Sequence, residues 1–129
     1  MINKTVNLTF NCKGVQETYE AKYPNVGQYI DIENKKIQLS NGNYYQMASS
    51  GIATMNKALD YIDSYAYFSV LIPQFIKDLN VNSFFELSTD DADEIVKVFK
   101  EDFITWFNDI NQEINNVNDE KKENEEANE

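Results

Sequence analysis

Hydrophobic and polar residues alternate strictly from Thr5 to Cys12, with Val6, Leu8, Phe10 and Cys12 on one side and Thr5, Asn7, Thr9 and Asn11 on the other. A period of two sends alternate side chains to opposite faces of a sheet, so this segment predicts a half-buried strand. Val15, Glu17, Tyr19 and Ala21 alternate again behind Lys13-Gly14. Residues 4 to 22 therefore predict a β-hairpin whose turn uses Gly14 at positive φ. Cys12, the lone cysteine, falls on the apolar face and is expected to be a buried, inert thiol.

Residues 24 to 40 fit two patterns. Ile30 with Ile32, and Ile37 with Leu39, suit a second hairpin around Glu33-Asn34-Lys35-Lys36. Pro24 in a first turn, a broad face of Val26, Tyr29, Ile30 and Ile37, and a stop at Asn41-Gly42 suit a helix. From Tyr44 to Ile72 the period is helical: Ile52, Met55, Leu59, Ile62 and Ala66 recur every three or four residues, with Tyr61, Tyr65 and Phe68 as an adjoining stripe. Pro73 predicts a break, followed by a short helix carrying Phe75, Ile76 and Leu79, then a loop over Asn80 to Leu87. Ser88 or Thr89 can cap the last helix, where Asp90, Asp91, Asp93 and Glu94 meet the positive end of its dipole. Val96, Phe99, Phe103, Trp106, Ile110, Ile114 and Val117 form its apolar stripe. The expected fold class is α+β, an N-terminal β-hairpin followed by a predominantly helical body of three to four helices, in a single domain spanning 1–117.

Composition sharpens this outline. Among 129 residues, eight Phe, eight Tyr and one Trp supply one core, and the length is too short for two ordinary domains. Residues 118–129 hold Asp119, Glu120, Glu123, Glu125, Glu126 and Glu129 against Lys121 and Lys122, with no large apolar side chain. Such a segment does not recover its ordering entropy, so a disordered acidic tail is expected. Met1-Ile2-Asn3-Lys4 lacks the apolar run of a secretion signal, and no stretch nears the roughly 18 apolar residues that span a bilayer. A cytoplasmic protein is expected.

All 11 basic residues are Lys; the chain has no Arg and no His. The usual proton shuttle of neutral pH and the preferred fork for phosphate or carboxylate are both missing. A net charge of −11 repels phosphate backbones and anionic lipid heads, which argues against nucleic-acid and membrane partners. The Asp90–Glu94 cluster lacks the alternating oxygen spacing and central glycine of a calcium loop, and one thiol without imidazole makes no structural zinc site. Ser49, Ser50 and Ser64 have no histidine to activate them. The carboxylate pairs Asp60/Asp63 and Glu113/Glu120 read as solvated helix faces. The expectation is no enzyme, no cofactor and no metal.

Aromatic crowding is the remaining signal. Residues 65 to 72 and 103 to 107 carry more large side chains than one helix face buries, and rings left outside a core commonly anchor protein interfaces. Tyr65, Phe68 and Phe75 near the Pro73 break, with Phe103, Trp106 and Phe107 on the last helix, are the expected lining of a protein-binding groove.

Several runs point further. Tyr23-Pro24-Asn25-Val26-Gly27-Gln28-Tyr29-Ile30-Asp31-Ile32-Glu33, then Lys36 and Leu39, then Gly42-Asn43-Tyr44 with Met47, precede Asp60, Ile62, Asp63, Tyr67-Phe68 and Leu71-Ile72-Pro73. With a late helix bearing Phe103 and Trp106, this pattern, across about residues 20 to 110, resembles the tail assembly chaperones of long-tailed phages infecting low-GC Gram-positive bacteria. Members of that family often end in a proline-tryptophan pair, whereas Thr105 precedes Trp106 here. The resemblance implies a helix over 24–40 and a non-enzymatic chaperone in the host cytoplasm. It also implies that the chaperone binds the hydrophobic tape measure protein and helps recruit tail tube protein, with a homo-oligomer as a further possibility. The alternative from charge alone is a small acidic inhibitor, a DNA mimic that blocks a nucleic-acid enzyme, which expects ordered surface carboxylates in rows.

Overall fold

Lys13 and Gly14 both take positive φ, 54° and 76°, the pair that the tightest right-twisting hairpin turns require. In the computed structural model they join strand β1 (Thr5–Cys12) to strand β2 (Val15–Lys22), antiparallel, with Leu8 opposite Tyr19 and Phe10 opposite Glu17. The structure describes the backbone of residues 2–127 and the side chains of residues 2–118. Of the expected disordered acidic tail, 118–129, all side chains but that of Asn118 lie outside the described residues. One hairpin face is buried through Leu8, Phe10, Cys12 and Ala21, while Thr9 and Thr18 share a hydroxyl hydrogen bond on the other.

Residues 24–40 form a helix rather than a hairpin, α1 (Val26–Leu39). Its start is held by a reciprocal cap: the Asn25 side chain accepts from the Gln28 amide at 2.8 Å, and the Gln28 side chain accepts from the Asn25 amide at 3.0 Å. Asn41 and Gly42 at positive φ end it, and the Gly42 amide reaches back to the Ile37 carbonyl at 2.9 Å.

The single helical period expected over 44–72 is cut in two. Gly51 at φ 69° separates α2 (Tyr44–Ser49) from α3 (Ala53–Leu71). The stripe read from the sequence is divided accordingly: Leu59, Ile62 and Ala66 are buried, whereas Ile52 and Met55, beside the break, are exposed. Pro73 acts as expected, ending α3 and opening α4 (Pro73–Leu79) at its first turn, where a missing amide costs nothing. The expected loop at 80–87 contains a 3₁₀ turn, Phe84–Glu86, that drives Phe84 into the core.

Helix α5 (Thr89–Val98) is capped by Ser88, whose hydroxyl accepts from the Asp91 amide at 3.3 Å. It continues through a π-helical stretch, Phe99–Phe103, into α6 (Ile104–Ala127) with right-handed helical backbone throughout. The π stretch widens one turn and shifts the stripe. The buried residues are therefore Ala92, Ile95, Val98 and Phe99 before it, with Phe103, Phe107 and Ile110 after it; Val96, assigned to the stripe by simple spacing, is only half-buried. The layout is α+β, a two-stranded hairpin followed by a mostly helical body.

Rings from β1, α4 and the π stretch meet at Phe68, which is fully buried. Phe10 and Phe99 approach it edge-on at 5.3 and 5.5 Å, and Phe103 and Phe75 at 5.7 and 6.2 Å. Such tilted arrangements suit the ring quadrupole and add about 0.5–1.5 kcal/mol per pair beyond area burial. Truncating a core Phe costs about 3–5 kcal/mol. Phe68→Ala is expected to lower unfolding free energy by that amount in urea titration, whereas Phe85→Ala, at an exposed ring, is expected to change it by less than about 1 kcal/mol.

Candidate protein-binding surfaces

The six rings expected to line a groove are brought together, but five of them are inside the core. Phe68 and Phe103 are fully buried, and Tyr65, Phe75 and Phe107 nearly so. Phe75 stacks on Phe10 at 4.0 Å, and Phe107 stacks on Tyr23 at 5.2 Å while continuing the parallel stack of Phe99 and Phe103. The Tyr65 hydroxyl donates to the Val81 carbonyl at 3.1 Å. Trp106 alone stays half-exposed, its indole N–H donating to the Asn3 carbonyl at 2.8 Å. The groove expected from these residues is corrected to a core: the hairpin supplies Phe10 and Tyr19, and the 3₁₀ turn supplies Phe84, as a second wall that helix periodicity alone does not reveal.

Surplus apolar surface lies elsewhere, in two places. The first follows the α6 stripe beyond the body. Ile110 is buried, Ile114 is 37% exposed and Val117 56% exposed, while Ile2 lies against them from the N-terminus. The Ile2 amide donates to the Glu113 carboxylate at 3.0 Å, which fixes the terminal segment along the helix. The result is an apolar trough of about 200 Å³ with Lys4 and Glu113 on its rim.

The second spans the end of α1, all of α2 and the start of α3. Residues 37–56 contain no charged side chain, in a chain of which 26% is charged. Ile37, Tyr45, Ile52 and Met55 are exposed there, Tyr45 to 73%. Asn43, Gln46, Met47 and Ser50 join Ile52 and Met55 around a hollow of about 440 Å³. Val26, Tyr29 and Ile30 extend the exposed apolar surface back along α1. Helix α2 buries no side chain completely, so its position depends on polar anchors.

Those anchors form a small ionic network under α2. The Tyr44 hydroxyl donates to Asp63 at 2.7 Å. The Lys36 ammonium pairs with Glu33 at 3.0 Å and sits over the Tyr44 and Tyr67 rings at 5.6 and 5.1 Å. The buried lysine is thus satisfied by a carboxylate and two π faces. Burial holds the Asp63 carboxyl above its ordinary range, against the opposing pull of the Tyr44 hydroxyl and Lys36. Two further tyrosines staple the body in the same way: Tyr19 donates to Asp78 at 2.6 Å, and Tyr61 donates to Asp93.

Candidate chemistry outside these surfaces is sparse. Cys12 is free and buried, and burial, then the nearby Asp91 carboxylate, push its thiol up. Among the described residues, no three His, Cys, Asp or Glu side chains converge to hold a metal ion, and no helix is long and apolar enough to cross a membrane. Compared with protein-family models, with curated proteins and with solved structures, the chain matches none.

The exposed residues at 37–56 were missed because periodicity assigns Ile37, Ile52 and Met55 to buried stripes. The run of twenty uncharged residues was the available signal, since charge depletion with Tyr and Met marks interface centres.

The tyrosine staples set a pH limit. Burial first, then hydrogen bonding to Asp78 and Asp93, raises Tyr19 and Tyr61 from 10 to about 12, and Tyr44 and Tyr67 are raised further. Below about pH 9 these phenols are protonated in both states and contribute no pH dependence. Between pH 10 and 12 the unfolded chain loses protons that the folded chain keeps, so stability falls as pH rises. Thermal melts are expected to hold a level Tm from pH 8 to about 9.5 and to drop steeply above it, with part of the phenolate absorbance appearing only as the protein unfolds.

Proposed function

We propose that this protein is a non-enzymatic tail assembly chaperone that binds the hydrophobic tape measure protein and helps recruit tail tube protein in the host cytoplasm. Support comes from the motif resemblance across about residues 20 to 110, and from a chain without Arg or His. The observation that carries the reading is the trough between Ile2 and the Ile110–Ile114–Val117 stripe of α6. An amphipathic client helix laid along that stripe would place apolar side chains every three or four residues against it, as helix-in-groove recognition does. The net charge of −11 then keeps the complex dispersed while the client's apolar face is covered.

Co-expression tests this directly. A tape measure fragment that aggregates alone is expected to stay soluble with the wild-type chain and to co-purify with it. Ile114→Lys with Val117→Lys, both at exposed positions, is expected to abolish co-purification without lowering the chain's own Tm. Unchanged aggregation of the fragment beside the wild-type chain would refute the proposal.

A further inference from the structure

We propose that the outer edge of β2 docks an extended basic segment of another protein, which adds to the hairpin as a third strand and sends a lysine or arginine into the hollow between β2 and α4. Backbone geometry is the first reason. The Tyr23 amide donates to the Lys4 carbonyl at 2.8 Å, and these two residues continue the register that places Thr5 opposite Lys22. Hydrogen-bonded pairs recur at every second step of an antiparallel ladder, so Ala21, Tyr19, Glu17 and Val15 turn their amides and carbonyls toward β1. Gln16, Thr18, Glu20 and Lys22 turn theirs outward, and among the described residues none of those groups has a protein partner. Helix α5 packs along β1, whereas no helix packs to a comparable extent against β2. The β2 edge runs for eight residues without a bulge or a proline, and so keeps what a further strand needs in order to pair.

The side chains beside this edge are the second reason. A hollow of about 380 Å³ opens there, with buried Phe10, Phe75 and Leu79 among its lining, and with Val15 and Tyr19 contributed by β2. Its charged groups are Lys13, Glu17 and Asp78. The Lys13 ammonium already donates to the Leu79 carbonyl at 3.1 Å. Asp78 accepts from the Tyr19 hydroxyl at 2.6 Å and from the Gln74 amide at 2.8 Å, and these bonds hold its carboxyl below the ordinary range. Glu17 is exposed, with no ion-pair partner among the described residues. In an added strand every second side chain faces the hollow. A lysine or arginine there satisfies both halves of the lining, its aliphatic stem covering the apolar floor and its charged head reaching Glu17 and Asp78. A glutamate on the core-side face of an edge strand disfavours a purely apolar newcomer and repels an acidic one. Charge thus selects a cationic segment over a second copy of this chain, which carries −11.

The test uses the whole chain and a fluorescein-labelled, end-blocked peptide, Lys-Val-Thr-Lys-Thr-Val-Lys, whose central lysine shares a face with its two valines. Its polarisation is expected to saturate between about 10 µM and 1 mM protein, the range of weak peptide docking. Exchanging the central lysine with the threonine before it keeps composition and charge but turns that lysine away from the hollow, and is expected to weaken binding at least about tenfold. Glu17→Lys, at an exposed position, is expected to do the same with an unchanged circular dichroism spectrum. Amide hydrogen exchange is expected to slow at Gln16, Thr18, Glu20 and Lys22 when the peptide binds. Thr18→Pro removes an outward amide and no ladder bond, and is expected to abolish binding while the hairpin persists; if it unfolds the hairpin, Glu17→Lys and the exchange pattern decide. No binding at about 1 mM overturns the inference, as does equal binding of the exchanged peptide or of the Glu17→Lys chain. Binding without slowed exchange at those alternate amides overturns it too, because the peptide then adheres by charge alone. Slowed exchange that develops with protein concentration in the absence of peptide assigns the edge to a second copy and likewise overturns it. None of these outcomes depends on a tape measure fragment.

Discussion

Edge-to-face packing around Phe68 is the constraint on which the rest of this structure depends. One ring on α3 touches rings from β1, from α4 and from the π stretch. Each of those elements is too short or too irregular to persist alone: a two-stranded hairpin is marginal in water, and a seven-residue helix does not nucleate itself. Their order is therefore tertiary, and removal of the central ring would loosen all of them together.

The same constraint explains why the helical rod carries a π stretch. Phe99 and Phe103 stack at 5.6 Å, and Phe103 stacks on Phe107 at 5.7 Å. Four residues of a regular helix overshoot a full turn by about 40°, so three rings at that spacing drift off one face. The wider turn at 99–103 corrects the drift and keeps the series in register with Tyr67 and Phe68, which both contact it. Beyond Ile110 no wall faces the helix as closely, and the stripe emerges at Ile114 and Val117. The exposed trough is thus the continuation of the core past the end of the body.

The two outer surfaces differ in electrostatic character. The α6 trough has charged groups among the residues that line it, Lys4 and Glu113. The hollow beside α2 has none among its lining residues, and the nearest charges, Lys36, Glu33 and Asp63, are tied up under the helix. A contact at the trough would therefore respond to salt more strongly than one at the hollow.

Much of the fold was legible in order along the chain. Alternation from Val6 to Cys12, the Lys13-Gly14 turn, Pro73 and Ser88 each set local structure through backbone chemistry confined to a few residues, and each element they predict is present. Residues 24–40 were ambiguous because Ile30, Ile32, Ile37 and Leu39 fit paired strands while Val26, Tyr29, Ile30 and Ile37 fit one helix face; the Asn25–Gln28 cap, a local contact, decides for helix. Periodicity also identified the aromatic stripes but not their destination. Whether Phe68, Phe75, Phe103 and Phe107 face a partner or the interior depends on whether the hairpin and the 3₁₀ turn close over them, and that is a matter of contacts between residues far apart in the chain. The sequence by itself determined which residues are apolar and at what spacing. Only the tertiary structure decided which of them remain outside, because burial is a property of the assembled walls and not of any single face.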